Sequence, residues 1–300
     1  MKMTKPKKRR IQTLKEEFDS RKKGKESLLT MIDEAEVSES VYNSNAIENS
    51  TLTLKETEKI LLEMEVSRDV TLREVFEAKN LARVIEFIRN MEKREKLEVR
   101  LILLLHNMLL TGIDDKIAGR FRKSGEYVRV GTHIAPAPEK VDNMIEVAQR
   151  EYTSNVTDYF IKKIAKFHLD FETIHPFCDG NGRIGRVLIN YQLADYDFPS
   201  IIIRDKEKQD YYVAFDEFRI KNDTSAMERI IVLALTESLH KRITYLKGQE
   251  IIKLSDFARK IHKTVPALIN AASRQTIPAF REKGVWKIGK EFEYNPRKNH

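Results

Sequence analysis

The chain has 300 residues, of which 41% are apolar and 33% are charged, a balance typical of soluble globular proteins rather than of disordered or membrane-embedded ones. No apolar run approaches the roughly 18 residues that a membrane-spanning helix needs, so we expect no membrane partner. The single cysteine excludes an internal disulfide, and the basic N-terminus has no apolar segment behind it, so we expect a cytoplasmic protein.

The net charge of +8 comes from the N-terminal end of the chain. The first 25 residues hold eleven Lys or Arg against Glu16, Glu17 and Asp19, and the remainder of the chain is balanced. Such a basic arm could touch nucleic acid or a membrane surface. The interpretation that we favour is a solvated, disordered arm over residues 1–25.

Apolar residues recur at helical spacing through most of the chain, and Gly and Pro are scarce, which predicts a mostly α-helical fold. Thr53 and Glu56 form a capping box, which marks the start of a helix after an Asn- and Ser-rich break at residues 43–50. The predicted helices cover residues 26–42, 53–65, 73–95, 97–111, 139–152, 157–173, 184–195, 207–220 and 225–247.

Residues 126–134 depart from the helical pattern. Val128, Val130, Thr132 and Ile134 alternate with polar or glycine positions, which is the periodicity of a β-strand, and two prolines follow. This segment therefore predicts a small β-hairpin on a helical body.

The chain changes character after Gly248. Residues 250–274 predict two short helices, and in residues 284–294 apolar and charged side chains alternate around a glycine, as in a hairpin. Helix, turn, helix and hairpin in this order suggest a winged-helix-like domain at residues 250–300. Its basic side chains could meet DNA phosphates, although acidic neighbours dilute them. Protein docking or dimerisation and a merely structural role are the other interpretations.

One stretch of twelve residues, 175–186, carries the chemistry, and its sequence is His-Pro-Phe-Cys-Asp-Gly-Asn-Gly-Arg-Ile-Gly-Arg. Pro176, Gly180 and Gly182 forbid a continuous helix, so a loop must link two helical segments. The glycines let backbone amides turn towards one point, and the helix that starts near Arg183 adds free amides and the positive end of its dipole. This arrangement predicts a phosphate-binding site.

The charged side chains of this loop indicate a polyphosphate rather than a single anion. Arg183 and Arg186 lie three positions apart and can project from one face of the first helical turn. Asp179 would be repelled by phosphate unless a cation lay between them, which makes it a candidate Mg²⁺ ligand. His175 can take a proton near neutral pH and suits a general base. Singly, such residues are more often caps, turn formers or surface ion pairs, but their clustering favours the functional interpretation.

The same stretch resembles the Fic family, because it matches the signature H-P-F-x-[D/E]-G-N-G-R-x-x-R at every defined position. The resemblance extends over roughly residues 27–246. It implies a Fic-type helical bundle at residues 26–247 and a protein adenylyltransferase that moves AMP from ATP to a Ser, Thr or Tyr hydroxyl of a target protein. The implied roles are proton abstraction by His175, Mg²⁺ binding by Asp179, orientation of the α-phosphate by Asn181, and binding of the triphosphate by Gly180, Gly182, Arg183 and Arg186.

The resemblance also implies where the adenine of ATP and the target protein bind. Tyr211 and Tyr212 would line the adenine pocket, although two tyrosines on a helix are as often core residues. The hairpin resembles the flap of the family, which binds an extended target segment by strand addition, and an ordinary surface hairpin is the alternative. The residues of this flap would be Val128, Arg129, Val130, Gly131 and Thr132.

Residues 44–49, Ser-Asn-Ala-Ile-Glu-Asn, resemble the inhibitory motif [S/T]-x-x-x-E-[G/N] of the family, with Ser44 and Glu48 at its defined positions. In the family the glutamate pairs with the second arginine of the loop, which is Arg186 here, and holds the triphosphate in an unproductive pose. In some relatives the same glutamate positions a water that removes AMP, so AMP removal is a further expectation. A plain helix-connecting loop is the alternative.

Two other hypotheses stay open on the sequence. The chain could be a DNA-binding regulator whose Fic site only senses nucleotide, although an intact His175 and Asp179 argue against a dead site. The transferred group could also be UMP, GMP or phosphocholine, because the sequence does not identify the base-pocket residues securely. Homodimerisation is common in the family, and nothing in the sequence demonstrates it.

Overall fold

The computed structural model describes residues 4–66, 70–91 and 96–295 of the chain. Over these residues it is mostly helical, as the sequence predicts, with twelve α-helices and five short strands. No helix in these ranges is long and apolar enough to cross a membrane. The helices are α1 (Lys5–Lys22), α2 (Glu26–Ile47), α3 (Leu54–Glu58), α4 (Leu72–Arg89), α5 (Val99–Leu110), α6 (Val141–Ser154), α7 (Phe160–Ile174), α8 (Asn181–Asp195), α9 (Lys208–Lys221), α10 (Ser225–Leu246), α11 (Leu254–Lys260) and α12 (Val265–Ser273). The strands are β1 (Arg129–Val130), β2 (His133–Ile134), β3 (Ile251–Lys253), β4 (Phe280–Glu282) and β5 (Val285–Gly289).

The chain divides into two compact units. The first consists of Val37–Phe198 and Ile202–Glu228, and it contains the whole of the 175–186 loop. The second consists of Lys2–Glu36, Pro199–Ile201 and Arg229–His300. The observed bounds therefore differ from the predicted ones at residues 25 and 247, because helices α2 and α10 each supply residues to both units.

Helices α7 and α8 form the centre of the first unit. α8 buries residues on nearly every side, among them Ile184, Leu188 and Tyr191. α7 is amphipathic and buries residues such as Phe167 and Phe171. A helix that is buried all round belongs to the interior of its domain. The loop between α7 and α8 is consequently anchored in the core at both ends.

The predicted break at residues 43–50 is wrong as far as Ile47, because α2 continues to that residue. Two of the polar side chains that suggested a loop, those of Asn43 and Ser44, are buried and have partners inside the first unit. Asn43 Oδ1 accepts from the amide of Asp205 at 3.1 Å, and Ser44 Oγ accepts from Arg186 at 2.9 Å. Tertiary partners thus override the low helix propensity of Asn and Ser. The capping box of Thr53 and Glu56 is present at the start of α3, which leads into a π-helical turn.

The predicted disorder of the basic arm is wrong for Lys5–Lys22, which forms α1. Ile11 and Phe18 lie seven positions apart on one face of this helix and are 1% and 6% exposed. Arg21 and Lys247 both pair with Glu17 inside the second unit, at 3.1 and 2.8 Å. Two buried apolar side chains at helical spacing, rather than the net charge, decide the structure of this segment.

The predicted hairpin is present in the first unit, with strands of only two residues. β1 and β2 are antiparallel, with Arg129 opposite Ile134 and Val130 opposite His133. Gly131 has a φ of +58° in the turn, a conformation that favours glycine. Short strands leave most of the backbone of this segment without a ladder partner from the hairpin itself.

The C-terminal part of the second unit contains the two predicted short helices, α11 and α12, and a hairpin of β4 and β5. The sequence analysis missed β3, which pairs with β5 and gives an antiparallel sheet of order β3-β5-β4. Its small core includes Leu254, Phe257, Leu268 and Ile288. The identification of this part as a winged helix stays a prediction.

Candidate active site

The 175–186 loop begins where α7 ends. His175 follows the last helical residue with a φ of +49°, and its amide donates to the carbonyl of Phe171 at 2.8 Å. Gly180 precedes α8 with a φ of +80°, and a Cβ there would lie 3.0 Å from the side chains of Leu109 and Leu110. Glycine is therefore favoured at residue 180 by its conformation, and the two leucine side chains leave little space for a Cβ.

Phe177 anchors the loop in the core. Its side chain is fully buried, and its ring stacks on His106 at 3.6 Å with an interplanar angle of 5°. The side-chain amide of Asn181 accepts from the amide of Phe177 and donates to its carbonyl, both at 2.9 Å. Asn181 is 2% exposed, so in this structure its amide shapes the loop. The sequence analysis had assigned it to the α-phosphate.

His175 carries the features of a base that is neutral at physiological pH. Burial lowers the pKa of its imidazole to about 4, although the backbone carbonyl of Glu172 and the carboxylate of Glu48 act in the opposite direction. Nδ1 of His175 is buried without a hydrogen-bond partner among the described residues, and it lies 3.7 Å from Oε2 of Glu172. A neutral imidazole at this position can accept a proton.

Asp179 is held by two arginines. Its Oδ2 lies 2.5 Å from Arg73 and its Oδ1 lies 2.9 Å from Arg183, and the amide of Gly180 also donates to Oδ1. Although burial opposes the effect, Arg183, the Gly180 amide and Arg73 lower the pKa of Asp179 below its usual value, so the carboxyl is ionised at neutral pH. The sequence analysis did not find Arg73.

The described residues contain no group of three His, Cys, Asp or Glu that could hold a metal ion. Mg²⁺ is usually bound through one or two carboxylates together with substrate phosphates, so a single ionised carboxylate beside a phosphate site suits it. The side chain of Asp179 is 33% exposed and meets this requirement. It would have to release Arg73 from Oδ2 to bind the ion.

Arg183 and Arg186 are each held by carboxylates of the chain. Arg183 is 3% exposed and pairs with Asp179 at 2.9 Å and with Glu77 at 3.2 Å. Arg186 is 6% exposed and turns towards the end of α2. Both guanidinium groups border the start of α8, where the sequence predicts a triphosphate.

Glu48 contacts Arg186 directly. Nη2 of Arg186 donates to Oε1 of Glu48 at 2.8 Å and to the carbonyl of Ser44 at 2.8 Å, and its Nε donates to Ser44 Oγ at 2.9 Å. A Cβ on Gly182 would lie only 2.0 Å from Oε1 of Glu48. The carboxylate of Glu48 therefore lies against Gly182 in the first turn of α8, where the sequence predicts phosphate binding.

Glu172 is a buried carboxyl group beside this contact, and the sequence analysis did not single it out. Burial, followed by the charge of Glu48, raises the pKa of Glu172 to about 8, although Arg186 acts in the opposite direction. A Cβ on Gly185 would lie 2.6 Å from its Oε1, which has no hydrogen-bond partner in the described part of the chain. Glu172 is thus packed tightly between α7 and α8 and is largely protonated at neutral pH.

The two tyrosines assigned to the adenine pocket have different environments. Tyr211 is 1% exposed, and its hydroxyl lies 2.7 Å from Nε2 of His168. It is a core residue in this structure, the alternative that the sequence left open. Tyr212 is half-exposed, and its hydroxyl donates to the carbonyl of Ile47 at 2.9 Å.

The predicted flap residues lie at the surface. Arg129, Val130, Gly131 and Thr132 are exposed and Val128 is half-buried. The base of the hairpin is closed by the amide of Ala135, which donates to the carbonyl of Val128 at 3.0 Å. An exposed hairpin of this kind can accept a further extended strand.

His106 and Arg122 both hydrogen-bond to backbone carbonyls of the loop, and neither was predicted from the sequence. Nδ1 of His106 accepts from the amide of Gly119, and its Nε2 faces the carbonyl of Asp179, both at 3.0 Å. Burial lowers the pKa of His106 to about 4, so a neutral ring with its proton on Nε2 fits both partners. One signal was available, because His106 interrupts an apolar run on the buried face of α5.

Comparison with known proteins bears on these observations. The family model described as the Fic/DOC family matches residues 96–193. A protein named protein adenylyltransferase Fic from Nematostella vectensis is 31% identical over 57% of this chain and 41% of its own length, so the chain spans well under half of that relative. A Fic domain containing signaling protein from Bacteroides thetaiotaomicron is 25% identical, with 80% of this chain and 97% of that chain covered and a TM-score of 0.72. A Fic family protein from Desulfovibrio desulfuricans is 19% identical over 98% of this chain and 99% of that chain, with a TM-score of 0.67, which shows the fold alone.

Proposed function

Because residues 96–193 are a Fic domain, we propose that this chain is a protein adenylyltransferase whose activity is restrained by Glu48. It transfers AMP from ATP to a Ser, Thr or Tyr hydroxyl of a target protein. The observation that carries the proposal is the loop itself, in which a neutral His175 stands beside an amide-rich helix start bordered by Arg183 and Arg186. The name of the Nematostella vectensis relative supports the reaction class.

In the proposed reaction, His175 accepts the proton of the target hydroxyl. The hydroxyl oxygen forms a bond to the α-phosphorus of ATP, the bond from that phosphorus to the bridging oxygen breaks, and pyrophosphate leaves. The amides at the start of α8, together with Arg183 and Arg186, would hold the charge of the triphosphate. Asp179 would hold Mg²⁺, which supplies positive charge for the phosphates. Catalysis then consists mainly of positioning and electrostatic stabilisation.

The restraint follows from the space and charge that Glu48 takes. Its Oε1 lies 2.8 Å from Arg186 and against Gly182, so a γ-phosphate and the Glu48 carboxylate would compete for the same guanidinium. A hydrogen bond between charged groups contributes roughly 1.5 to 3 kcal/mol. The side chain of Glu48 is 39% exposed, which favours the lower end of that range. We expect Glu48→Gly to raise the transfer rate about tenfold or somewhat more.

The test uses the protein, Glu48→Gly and Glu48→Gly/His175→Ala, each incubated with Mg²⁺ and one nucleoside triphosphate at a time. The intact mass of the protein then reports self-modification. An AMP adduct in Glu48→Gly, absent in the double variant, is the expected result. Uridylyl or guanylyl adducts instead would change the donor, and no adduct with any donor would contradict the proposal. A Glu48→Gly variant no more active than the unsubstituted protein would contradict the restraint alone.

Removal of AMP from a modified protein is a second candidate, and the position of Glu48 at the start of α8 favours it, since a carboxylate there could activate a water. A purified adenylylated target that loses AMP with the unsubstituted protein, and not with Glu48→Gly, would establish it. The DNA-binding regulator, the homodimer and the cytoplasmic location stay predictions of the sequence analysis.

A further inference from the structure

Arg122 is a buried arginine whose hydrogen bonds all go to backbone carbonyls. The residue is 3% exposed, and its guanidinium donates to four carbonyl oxygens. A buried guanidinium is costly unless its donors are satisfied, so this set of contacts holds its partners firmly. The residue lies just before the hairpin, and it is outside the 175–186 motif.

Two of the four carbonyls belong to the end of α7 and the base. Nε of Arg122 donates to the carbonyl of His175 at 2.8 Å, and Nη2 donates to that of Ile174 at 3.2 Å. The amide of Arg122 also donates to the carbonyl of Pro176 at 2.9 Å. The last carbonyls of a helix lack partners within the helix and lie at the negative end of its dipole. Arg122 thus satisfies the end of α7 at the point where the chain turns into His175.

The other two carbonyls belong to Glu126 and Pro136, the two ends of the segment 126–136 that contains the flap residues. Nη1 donates to the carbonyl of Glu126 at 3.0 Å, and Nη2 donates to that of Pro136 at 2.9 Å. The planar guanidinium of Arg122 therefore joins both ends of this segment to the backbone of Ile174 and His175. Only a guanidinium offers enough fixed donors for this task, because the ammonium of Lys has three donors on a single atom.

We propose that Arg122 is a positioning residue that holds the flap and His175 in a fixed relative position. A target strand added to the flap would then present its hydroxyl to the imidazole of His175. This inference rests on the proposed adenylyl transfer. It goes beyond the Fic signature, because the residue makes its effect through the backbone of His175 and touches no reacting atom. Loss of this relative position should lower the rate of the chemical step and leave ATP binding intact.

His133 provides the matched comparison. Its Nε2 lies 2.8 Å from the carbonyl of Thr173, so it also ties the flap to α7, but among the described residues it makes no hydrogen bond to the backbone of His175. Removal of the His133 side chain should loosen the flap alone. Removal of the Arg122 guanidinium should loosen both the flap and the 175–186 loop.

The experiment places Arg122→Gln, Arg122→Lys, His133→Ala and the control Arg150→Lys in the Glu48→Gly protein, Arg150 being an exposed residue of α6. Amide hydrogen exchange is measured over residues 126–136 and 174–178, beside the rate of self-adenylylation and the affinity for ATP. In Arg122→Gln we expect faster exchange in both segments, a rate lower by about 10²-fold, and an ATP affinity within about twofold. Arg122→Lys should be intermediate, His133→Ala should exchange faster only at 126–136, and Arg150→Lys should match its parent.

Unchanged exchange at 174–178 in Arg122→Gln would overturn the proposal, and so would a loss of ATP affinity as large as the loss of rate. If Arg122→Gln does not fold, Arg122→Lys decides, since parental exchange and rate in that variant would show that the guanidinium is not needed. Hydrogen exchange does not depend on catalysis. If the parent protein has no transfer activity, the proposed function is contradicted. The exchange data would still show whether Arg122 holds the flap and the backbone of His175 together.

Discussion

The 175–186 loop and the flap at residues 126–136 are joined through Arg122, yet they are built in opposite ways. In the loop, Phe177 is fully buried, and the side chain of Asn181 makes hydrogen bonds to the amide and the carbonyl of Phe177. In the flap, the strands have two residues each and the turn at Gly131 is exposed. This difference suits the proposed function, in which the buried loop places phosphates and a proton and the exposed flap offers backbone groups to an extended partner.

This contrast agrees with the demands of the two tasks. Electrostatic stabilisation of a reacting phosphate needs donors that do not reorganise during the reaction. Strand addition needs free backbone amides and carbonyls, which a finished sheet would not offer. Four further substitutions, each at a residue of the loop, its supporting helix or the flap, test these differences.

The largest expected effect is the loss of transfer in His175→Ala. In the Glu48→Gly protein, removal of the imidazole should lower the self-adenylylation rate by about 10²- to 10⁴-fold, because the target hydroxyl then has no positioned base. ATP affinity, measured by calorimetry, should change little. The exposed His262 offers the control, since His262→Ala should keep the parental rate. A rate within a few-fold of the parent in His175→Ala would mean that another group removes the proton.

The next effect is on stability and concerns Glu172. Its folded pKa is raised from 4.5 to about 8, so between those pH values the unfolded chain releases the proton and the folded chain keeps it. The free energy of unfolding should therefore fall as pH rises through this window, by up to about 1.4 kcal/mol per pH unit, and level off above it. Glu172→Gln should remove this contribution, so that the variant gains on the parent from pH 5 to pH 8.

Urea denaturation at several pH values measures this difference. Glu146→Gln on the exposed side of α6 serves as the control, and its stability should follow that of the parent across the range. If Glu172→Gln also runs parallel to the parent, the buried carboxyl does not keep its proton, and the packing between α7 and α8 is looser than the structure indicates.

The smallest effect compares one side chain of the loop with one of the flap. Asn181→Ala leaves the amide and carbonyl of Phe177 buried without their partner and should lower the free energy of unfolding by about 2 to 3 kcal/mol. Thr132→Ala, at an exposed position of the flap, should change it by less than about 0.5 kcal/mol. Equal effects in a denaturant titration would remove the contrast between a rigid loop and an open flap.

The sequence could predict those parts of the protein whose cause is local. The loop at 175–186, the capping box at Thr53 and the helical body follow from glycine positions, cap residues and apolar spacing, all of which act within a few residues. The extension of α2 to Ile47 could not be predicted in this way, because its buried Asn43 and Ser44 are stabilised by Asp205 and Arg186, which lie far along the chain.

The supporting residues of the site were hidden for the same reason. Arg122 is a single arginine between two structural elements, and its role depends on carbonyls about 50 residues later in the chain, which no local pattern encodes. Helix α1 was missed because its net charge obscured the spacing of Ile11 and Phe18. Composition describes the solvated face of such a helix, whereas the few buried residues decide whether it forms.

The central claim, that AMP itself is transferred, is tested most directly with labelled ATP and the Glu48→Gly protein. ATP is supplied with the label on the α-phosphate in one reaction and on the γ-phosphate in the other. We expect that only the α-label becomes attached to protein, that the γ-label leaves as pyrophosphate, and that His175→Ala lowers the rate of attachment by about 10²- to 10⁴-fold. Attachment of the γ-label would show phosphoryl transfer and contradict the account, and absence of both labels would contradict adenylyl transfer by this chain.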